Sequence, residues 1–418
     1  MHALHRIPFY PVYNTEDQNQ EAMIQLPNSE FKFDIVDLAP LRSFLSSQRQ
    51  LLQKAMQETP PDTLVHIVMG NQSNDLDSII AAMVRAYHLS LTLGATSLCL
   101  PYMNMLRHEL ALHKEALYLF DNFGISVDDL SFLDDQITLE AIFSKAQLQL
   151  HLVDHNELAP EQKHLSSSVV EIVDHHNDTQ KYPHLQQKAI QTVGSCCTLV
   201  ASQLLQSLPL ANIPKALAGL LLAPILIDTD NLNSSSKTTP LDRKMAETLL
   251  GHVAAFLPSD YHERIVAKKK DISGLSKDLL LIKDFKLHEA GKIRYGMSTL
   301  TSADSFWIDN CESMQEHLQV LSQKRNLDFL ILMMPCKLSG KKQRGIVLYS
   351  TSCQVLDALV GFVQENAFLA NLLKQQKSPS MESVKSTLFY TADTPLPRKV
   401  LQPKIDEIVS SESFQSAI

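Results

Sequence analysis

The chain has 418 residues, 44% of them hydrophobic and 20% charged, with a formal net charge of −9 and a pI near 6.0. The length points to two domains, and the acidic balance runs against the broad basic surface that a nucleic-acid partner demands, though a local basic pocket for a small anion stays open. Six cysteines, scattered except for the adjacent pair Cys196-Cys197 and without a C-x-x-C, exclude a disulfide scaffold and run against structural zinc, so a reducing, cytoplasmic setting is expected.

The start, MHALHRIPFYPVYNTED, lacks the apolar core of a secretory signal. Residues 1–60 read as an irregular lead-in followed by a helix around LRSFLSSQRQLLQKAMQ. TLVHIVMG (63–70) reads as a buried strand and SIIAAMVRAYHLSL (78–91) as the helix after it. LQLHLVDHN (148–156) and SVVEIVDHH (168–176) are further strands that end in polar residues. ALAGLLLAPILIDTDN (216–231) begins as a helix and ends at Asp228. Its apolar run, 217–227, is shorter than the ~20 residues that span a bilayer, so no membrane partner is expected. Strands alternating with helices imply a parallel sheet, whose ligands bind beyond the carboxyl ends of the strands.

A change follows the helical DRKMAETLLGHV. We expect a first domain over 1–250, a hinge at 251–257, and a smaller α/β domain over 258–418. The second domain opens with the lysine-rich KKKDISGLSKDLLLIKDFK (268–286). KIRYGMSTL (292–300), DFLILMMP (328–335) and RGIVLYS (344–350) read as its strands, with a helix near SMQEHLQVLSQKR. KKQR (341–344) reads as a solvated turn, with a phosphate patch as the alternative, and KQQKSPSMES (374–383) as an exposed loop.

Four polar clusters stand where apolar runs end. GNQSNDLDS (70–78) places Asp75 and Asp77 two apart before a helix. VDHNE contributes Asp154, VDHH contributes Asp174, His175 and His176, and IDTDN contributes Asp228 and Asp230. Each cluster alone is equally a helix cap or a solvated turn. Together, as the ends of four buried strands, they gather carboxylates and imidazoles at one sheet edge, where mutual repulsion would force some neutral unless a divalent cation resolved it. Oxygen and imidazole ligands without thiolate suit Mg²⁺ or Mn²⁺, with Co²⁺ also admissible. More than four ligands imply two metals, about 3.5–4 Å apart, of the kind that activates water for phosphoryl displacement.

At these residues the chain resembles the DHH phosphoesterase superfamily, whose motif stands here as Asp174-His175-His176. The order G-N-Q-S-N-D-L-D-S, V-D-H-N, V-D-H-H, D-T matches the superfamily's four motifs across residues 63–240. The resemblance implies an N-terminal parallel-sheet α/β domain with helices on both faces and a smaller C-terminal α/β domain, with the active site in the cleft between them. It implies that Asp75 and Asp154 hold one metal, and that Asp77, Asp154, His175 and Asp228 hold the other. His176 would sit beside the substrate phosphate, with Asp174 orienting the histidines. Pyrophosphatase-type relatives carry His where this chain has Asn71, and Ser73 replaces a following Asn. That departure resembles the eukaryotic exopolyphosphatase and prune-type branch and tilts the metal toward Mg²⁺, with Asn71 at the substrate.

The second half resembles the second type of DHH-associated domain, through AKKKDISGL (267–275), LLLIKDFK (279–286), YGMSTL (295–300) and the terminal PRKVLQP (397–403). The resemblance implies that Lys268 or Lys269, with Arg398 and Lys399, contact substrate phosphates. In VGSCCTLV (193–200), Gly194 and Ser195 would start a helix whose first amides suit an anion or serve as a plain cap. The expected activity is a metal-dependent exopolyphosphatase acting as a monomer on inorganic polyphosphate. The alternatives are an inorganic pyrophosphatase, a short-chain polyphosphatase or a nucleotide phosphodiesterase at the same site, or a prune-like interaction protein with residual activity.

Overall fold

The structure is a computed structural model that describes residues 39–58, 63–94, 97–300, 311–338, 341–376, 387–392 and 396–418. The N-terminal lead-in (1–38) and most of the 374–383 loop lie outside the described residues. The chain forms two compact units, residues 1–271 and 272–418.

The first unit is built on a six-stranded parallel sheet. In chain order its elements are α1 (Ala39–Glu58), β1 (Leu64–Met69), α2 (Leu76–Leu93), β2 (Leu98–Met103), α3 (Lys114–Phe123), β3 (Ser131–Phe132), α4 (Leu139–Lys145), β4 (Gln147–Val153), β5 (Val169–Asp174), β6 (Lys188–Ile190), α5 (Cys196–Ser207), α6 (Lys215–Asp228), α7 (Pro240–Val253) and α8 (Tyr261–Lys270). The strand order is β3-β2-β1-β4-β5-β6. Alternation along β1 sends Val65, Ile67 and Met69 to a core shared with Leu52 of α1 and with α4. Val68 faces the larger core made with α2, α5 and α6. Helices therefore cover both faces, as the resemblance implied.

One reading of the fourth cluster needs correction. Its apolar run does not end a strand: all of 215–228 is helix, and Asp228 is the last residue of α6. Every residue from Ala216 to Leu226 is buried, and a run apolar on all sides carries no periodicity to separate helix from strand. The expected hinge at 251–257 covers the end of α7 and the turn after it, within the first unit. The first unit extends through α8 because Tyr261 donates its hydroxyl proton to the Gly219 carbonyl at 2.9 Å and Ile265 is fully buried in the same core.

The second unit comprises α9 (Lys277–Lys283), β7 (Phe285–Ala290), β8 (Ile293–Thr299), α10 (Cys311–Arg325), β9 (Phe329–Leu338), β10 (Lys341–Tyr349), α11 (Cys353–Glu365), α12 (Ala367–Leu372), β11 (Lys374–Gln376), β12 (Thr387–Ala392), α13 (Arg398–Val409) and α14 (Glu412–Ala417). Its sheet order is β11-β12-β10-β9-β8-β7, antiparallel except for β8 with β9. KKQR is thus strand, not turn: it opens β10. Among the described residues, no helix is long and apolar enough to cross a membrane.

A buried polar chain crosses the first unit beneath its sheet. His66 Nδ1 lies 3.0 Å from His151 Nε2, and His151 Nδ1 lies 2.8 Å from Glu171 Oε2. Arg85 of α2 donates twice to Glu171, at 3.1 and 2.6 Å, and its third nitrogen lies 2.9 Å from His88 Nδ1. Burial pushes His66 and His88 down to about 4, with a neighbouring His151 and a neighbouring Arg85, respectively, adding to the effect. A histidine depressed in the fold binds fewer protons than in the unfolded chain between about pH 4 and 6.5, so its contribution is present above 6.5 and is lost as pH falls. His66→Asn removes that titration. The stability advantage of wild type over His66→Asn should then be flat above pH 6.5 and shrink by up to about 1.4 kcal/mol per pH unit toward pH 4 in urea unfolding. An advantage that does not change with pH contradicts the neutral, buried state of His66.

Candidate metal centre

The carboxyl ends of β1, β4 and β5 converge with the start of α2 and the end of α6. Gly70 ends the β1 run and must be glycine: a Cβ there would stand 2.7 Å from Ser78 Cβ in the first turn of α2. The close approach brings Ser78 to Asp154. Asp154 follows β4 with φ +62, a left-handed conformation that aspartate tolerates better than most residues. Its Oδ2 accepts from Ser78 Oγ at 2.6 Å and from Asn71 Nδ2 at 2.8 Å. Its Oδ1 is buried, and among the described residues no amide or hydroxyl donates to it.

His175 Nε2 stands 3.1 Å from that oxygen and 3.8 Å from Asp77 Oδ2. The other ring nitrogen, Nδ1, donates to the Val193 carbonyl at 3.0 Å, so neutral His175 presents an Nε2 lone pair to two carboxylates. A lone pair facing carboxylate oxygens is repulsive unless a proton or a cation lies between them. Burial alone would depress His175, yet the Asp154 and Asp77 carboxylates raise it to about 10. His176 is more exposed. Its Nδ1 donates to Asp174 Oδ1 at 2.9 Å, which raises His176 and leaves Nε2 directed away from that bond. One donor atom from each of Asp154, His175 and His176 lies within 4.8 Å of the others.

Asp77 is held by the start of α5. Its Oδ1 accepts from Ser195 Oγ at 2.6 Å and from the Cys197 amide at 2.8 Å, and its Oδ2 accepts from the Cys196 amide at 2.6 Å. The anion at this helix N-terminus is therefore a carboxylate of the chain itself. The sulfurs turn elsewhere: Cys196 Sγ donates to the Val173 carbonyl and Cys197 Sγ to the Asp77 carbonyl. Asp75 caps α2 by accepting from the Ser78 amide at 3.2 Å. Burial, then mutual repulsion, raises Asp75, Asp77 and Asp154, and raises Asp228 to about 8. Four elevated acids around one elevated histidine describe a site with excess negative charge. A divalent cation would relieve that excess, and the oxygen and imidazole donors fit Mg²⁺ or Mn²⁺.

Several predicted positions are placed differently from one another. Asn71 turns its amide NH₂ to Asp154, while its Oδ1 accepts from Ser73 N, Ser73 Oγ and Asn74 N. In that orientation its oxygen serves the loop. Lys269 in the last turn of α8 exerts a lowering charge on Asp75 and Asp228, whereas Lys268 Nζ lies 5.8 Å over the Tyr118 ring. In the second unit, Arg398 opens α13 and donates to Asp284, and Lys399 is exposed. Asp230 is exposed, in a left-handed turn.

Two supporting residues, Asn156 of the V-D-H-N motif and Asp242, carried no predicted role. Asn156 Nδ2 donates to Asp174 Oδ2 at 2.5 Å and to the Asn177 carbonyl, so it braces the turn that carries both histidines. These bonds, with His176, hold Asp174 below the usual carboxylate range despite its burial. Fully buried Asp242 accepts from Gly194 N at 2.9 Å and from Thr198 Oγ1 at 2.5 Å, which fixes the segment that clasps Asp77. Gly194 has no room for a side chain: a Cβ would fall 2.5 Å from Thr229 Cγ2.

Comparison with known proteins matches this architecture unit by unit. The DHH family N-terminal domain matches residues 66–225, and the DHHA2 domain matches residues 263–408. A Schizosaccharomyces pombe protein named "Putative exopolyphosphatase" is 32% identical over 299 residues, spanning 68% of this chain and 75% of that one. The chain belongs to the DHH family. Exopolyphosphatase PRUNE1 of Rattus norvegicus is 28% identical over 378 residues, covering 85% of this chain and 77% of its own. A manganese-dependent inorganic pyrophosphatase of Methanocaldococcus jannaschii is 26% identical over 267 residues, covering 62% and 77%. Within this DHH-family chain, the Asp-His-His motif is the segment braced by Asn156 and facing Asp154.

Proposed function

We propose that this DHH-family chain is a metal-dependent phosphoanhydride hydrolase of the exopolyphosphatase type, releasing orthophosphate from the ends of inorganic polyphosphate. The observation that carries the reading is the buried Asp154 Oδ1 facing His175 Nε2 at 3.1 Å among raised carboxylates. The relatives named as exopolyphosphatases support the substrate class, because the Rattus norvegicus and Schizosaccharomyces pombe proteins are 28% and 32% identical, against 26% and 23% for two manganese-dependent pyrophosphatases.

In this reading Asp75, Asp77, Asp154, His175 and Asp228 hold two divalent ions, with Asp154 shared. Such ions, when bound, supply Lewis acidity to phosphoryl oxygens and lower the pKa of water. The chain's own residues do the rest. The Val193 carbonyl fixes the His175 tautomer, and the α5 amides keep Asp77 oriented. His176, whose bond to Asp174 favours its charged form, places that imidazole beside an anionic phosphoryl group. Lys269, whose charge acts on Asp75 and Asp228, neutralises further phosphate charge.

The second reading, a pyrophosphatase on the same site, is favoured by the manganese-dependent relative. Phosphate release from chelator-treated protein, restored with Mg²⁺ or Mn²⁺, separates the two. The polyphosphatase reading expects fast release from long-chain polyphosphate and slow release from pyrophosphate. Release confined to pyrophosphate keeps the site and discards the substrate. No metal-dependent release from either sinks both and leaves an interaction protein.

A further inference from the structure

The second unit carries a cationic corner in which Arg344 of β10 joins Asp284, Thr299 and Arg398, which lie in the segments that resemble the DHH-associated domain. Arg398 donates from Nη1 to the Asp284 carbonyl and from Nη2 to Asp284 Oδ1, both at 2.8 Å. The same Asp284 carbonyl accepts from the Thr299 amide at 3.1 Å, so Thr299 sits beside the Arg398 fork. Thr299 Oγ1 is buried and has no hydrogen-bond partner among the described residues.

Arg344 reaches this corner from β10. Thr299 pairs with Met333 on β9, Met333 pairs with Ile346 on β10, and Arg344 stands two residues from Ile346 toward the same sheet end. Strand alternation puts Thr299 on the face of Met297, and Arg344 on the face of Ile346 and Leu348. Met297, Met333, Ile346 and Leu348 share one core, which also takes Leu401 and Ile405 of α13, the helix that Arg398 begins. The Arg344 Nε is buried without an acceptor, and burial depresses its guanidinium while Asp284 opposes that effect. Lys286 lies on the same face of β7, exposed.

Buried donors are nearly always satisfied, and two orphans beside a partly exposed arginine–aspartate pair indicate an acceptor that binds there. The Arg398–Asp284 pair leaves side-chain exposures of 23% and 43%, so it is open to exchange with a stronger oxyanion. We propose that Thr299, Arg344 and Arg398 form a subsite for a phosphoryl group, with Asp284 holding the Arg398 fork until that group displaces it. A hydroxyl and two guanidinium forks match a tetrahedral oxyanion with several acceptor oxygens. The ligand class rests on the phosphoanhydride reading. The residues add to it two contacts, Thr299 and Arg344, beyond the terminal Arg398-Lys399 motif.

The test is calorimetric titration of the full chain, treated with chelator so that turnover does not intervene. One arm uses tripolyphosphate and the other orthophosphate. Wild type is expected to bind at least one of them, and Arg344→Gln to weaken that binding about tenfold or more, with Arg344→Lys recovering part of it. Thr299→Val, nearly isosteric, should weaken binding as well, and Thr299→Ser should restore it. Loss in the orthophosphate arm identifies a monophosphate as the occupant, and loss in the tripolyphosphate arm alone identifies a chain. Equal affinities in wild type, Arg344→Gln and Thr299→Val overturn the proposal, as does a wild type that binds neither. Thermal melting of each variant separates loss of binding from loss of folding. A protein that binds in this assay yet releases no phosphate with metal would refute the hydrolase reading and leave the subsite standing.

Discussion

Replacing Asp154 by alanine is expected to cut metal-dependent phosphate release by about 10³-fold or more. A unit charge about 4 Å from a cation is worth about 4 kcal/mol at the effective dielectric of a partly solvated site, and each 1.4 kcal/mol is a factor of ten. The alanine variant also loses a side chain suited to φ +62, so part of its defect would be conformational. Asp154→Asn separates the two effects. Asparagine keeps the left-handed tolerance and an acceptor for Ser78, but removes the charge beside His175. The account expects Asn to be nearly as inactive as Ala while melting close to wild type. An Asn variant within a few-fold of wild-type turnover would mean that the charge at Asp154 is not used.

The second large effect is on folding. Glu171→Ala is expected to destabilise the chain by about 3–5 kcal/mol, because it leaves the Arg85 guanidinium buried without its carboxylate. Both residues are buried, and the pair is double, with Arg85 Nη2 at 2.6 Å and Nε at 3.1 Å. Burial opposes the charge on Glu171, but His151 and Arg85 hold it down at about 2. The double variant Arg85→Met/Glu171→Leu removes the stranded charge and should lose less than Glu171→Ala alone, measured by urea unfolding. Equal losses would show that volume and packing, not the uncompensated charge, set the cost. Because Glu171 lies within β5 and the site lies beyond that strand's end, metal binding by the folded fraction should be unchanged.

Three of the first unit's six strands, β1, β4 and β5, were legible because they are short apolar runs bounded by polar turns, and α2 follows β1 with an aspartate cap. The candidate ligands were legible for the same reason: a strand that ends on Asp-His or Asp must put those groups at the sheet edge. The Asp228 run was harder. It is apolar on every side, so periodicity could not show that a helix, not a strand, delivers Asp228. Nor could any local pattern show that Asn156, Asp242 and the α5 amides brace the ligands, since each bond joins segments at least 18 residues apart. The buried His66–His151–Glu171–Arg85 chain was invisible for a related reason. A histidine or glutamate in a strand reads as solvent-facing until the helix opposite supplies its partner.

The measurement that tests the central claim most directly is equilibrium binding of Mn²⁺, read from the paramagnetic resonance of the free ion, for wild type and Asp154→Asn side by side. The account predicts tight binding to wild type, approaching two ions per chain, with loss of at least one in the variant and little change in melting. Indistinguishable Mn²⁺ binding by the two proteins would contradict a cation site built on Asp154 and His175.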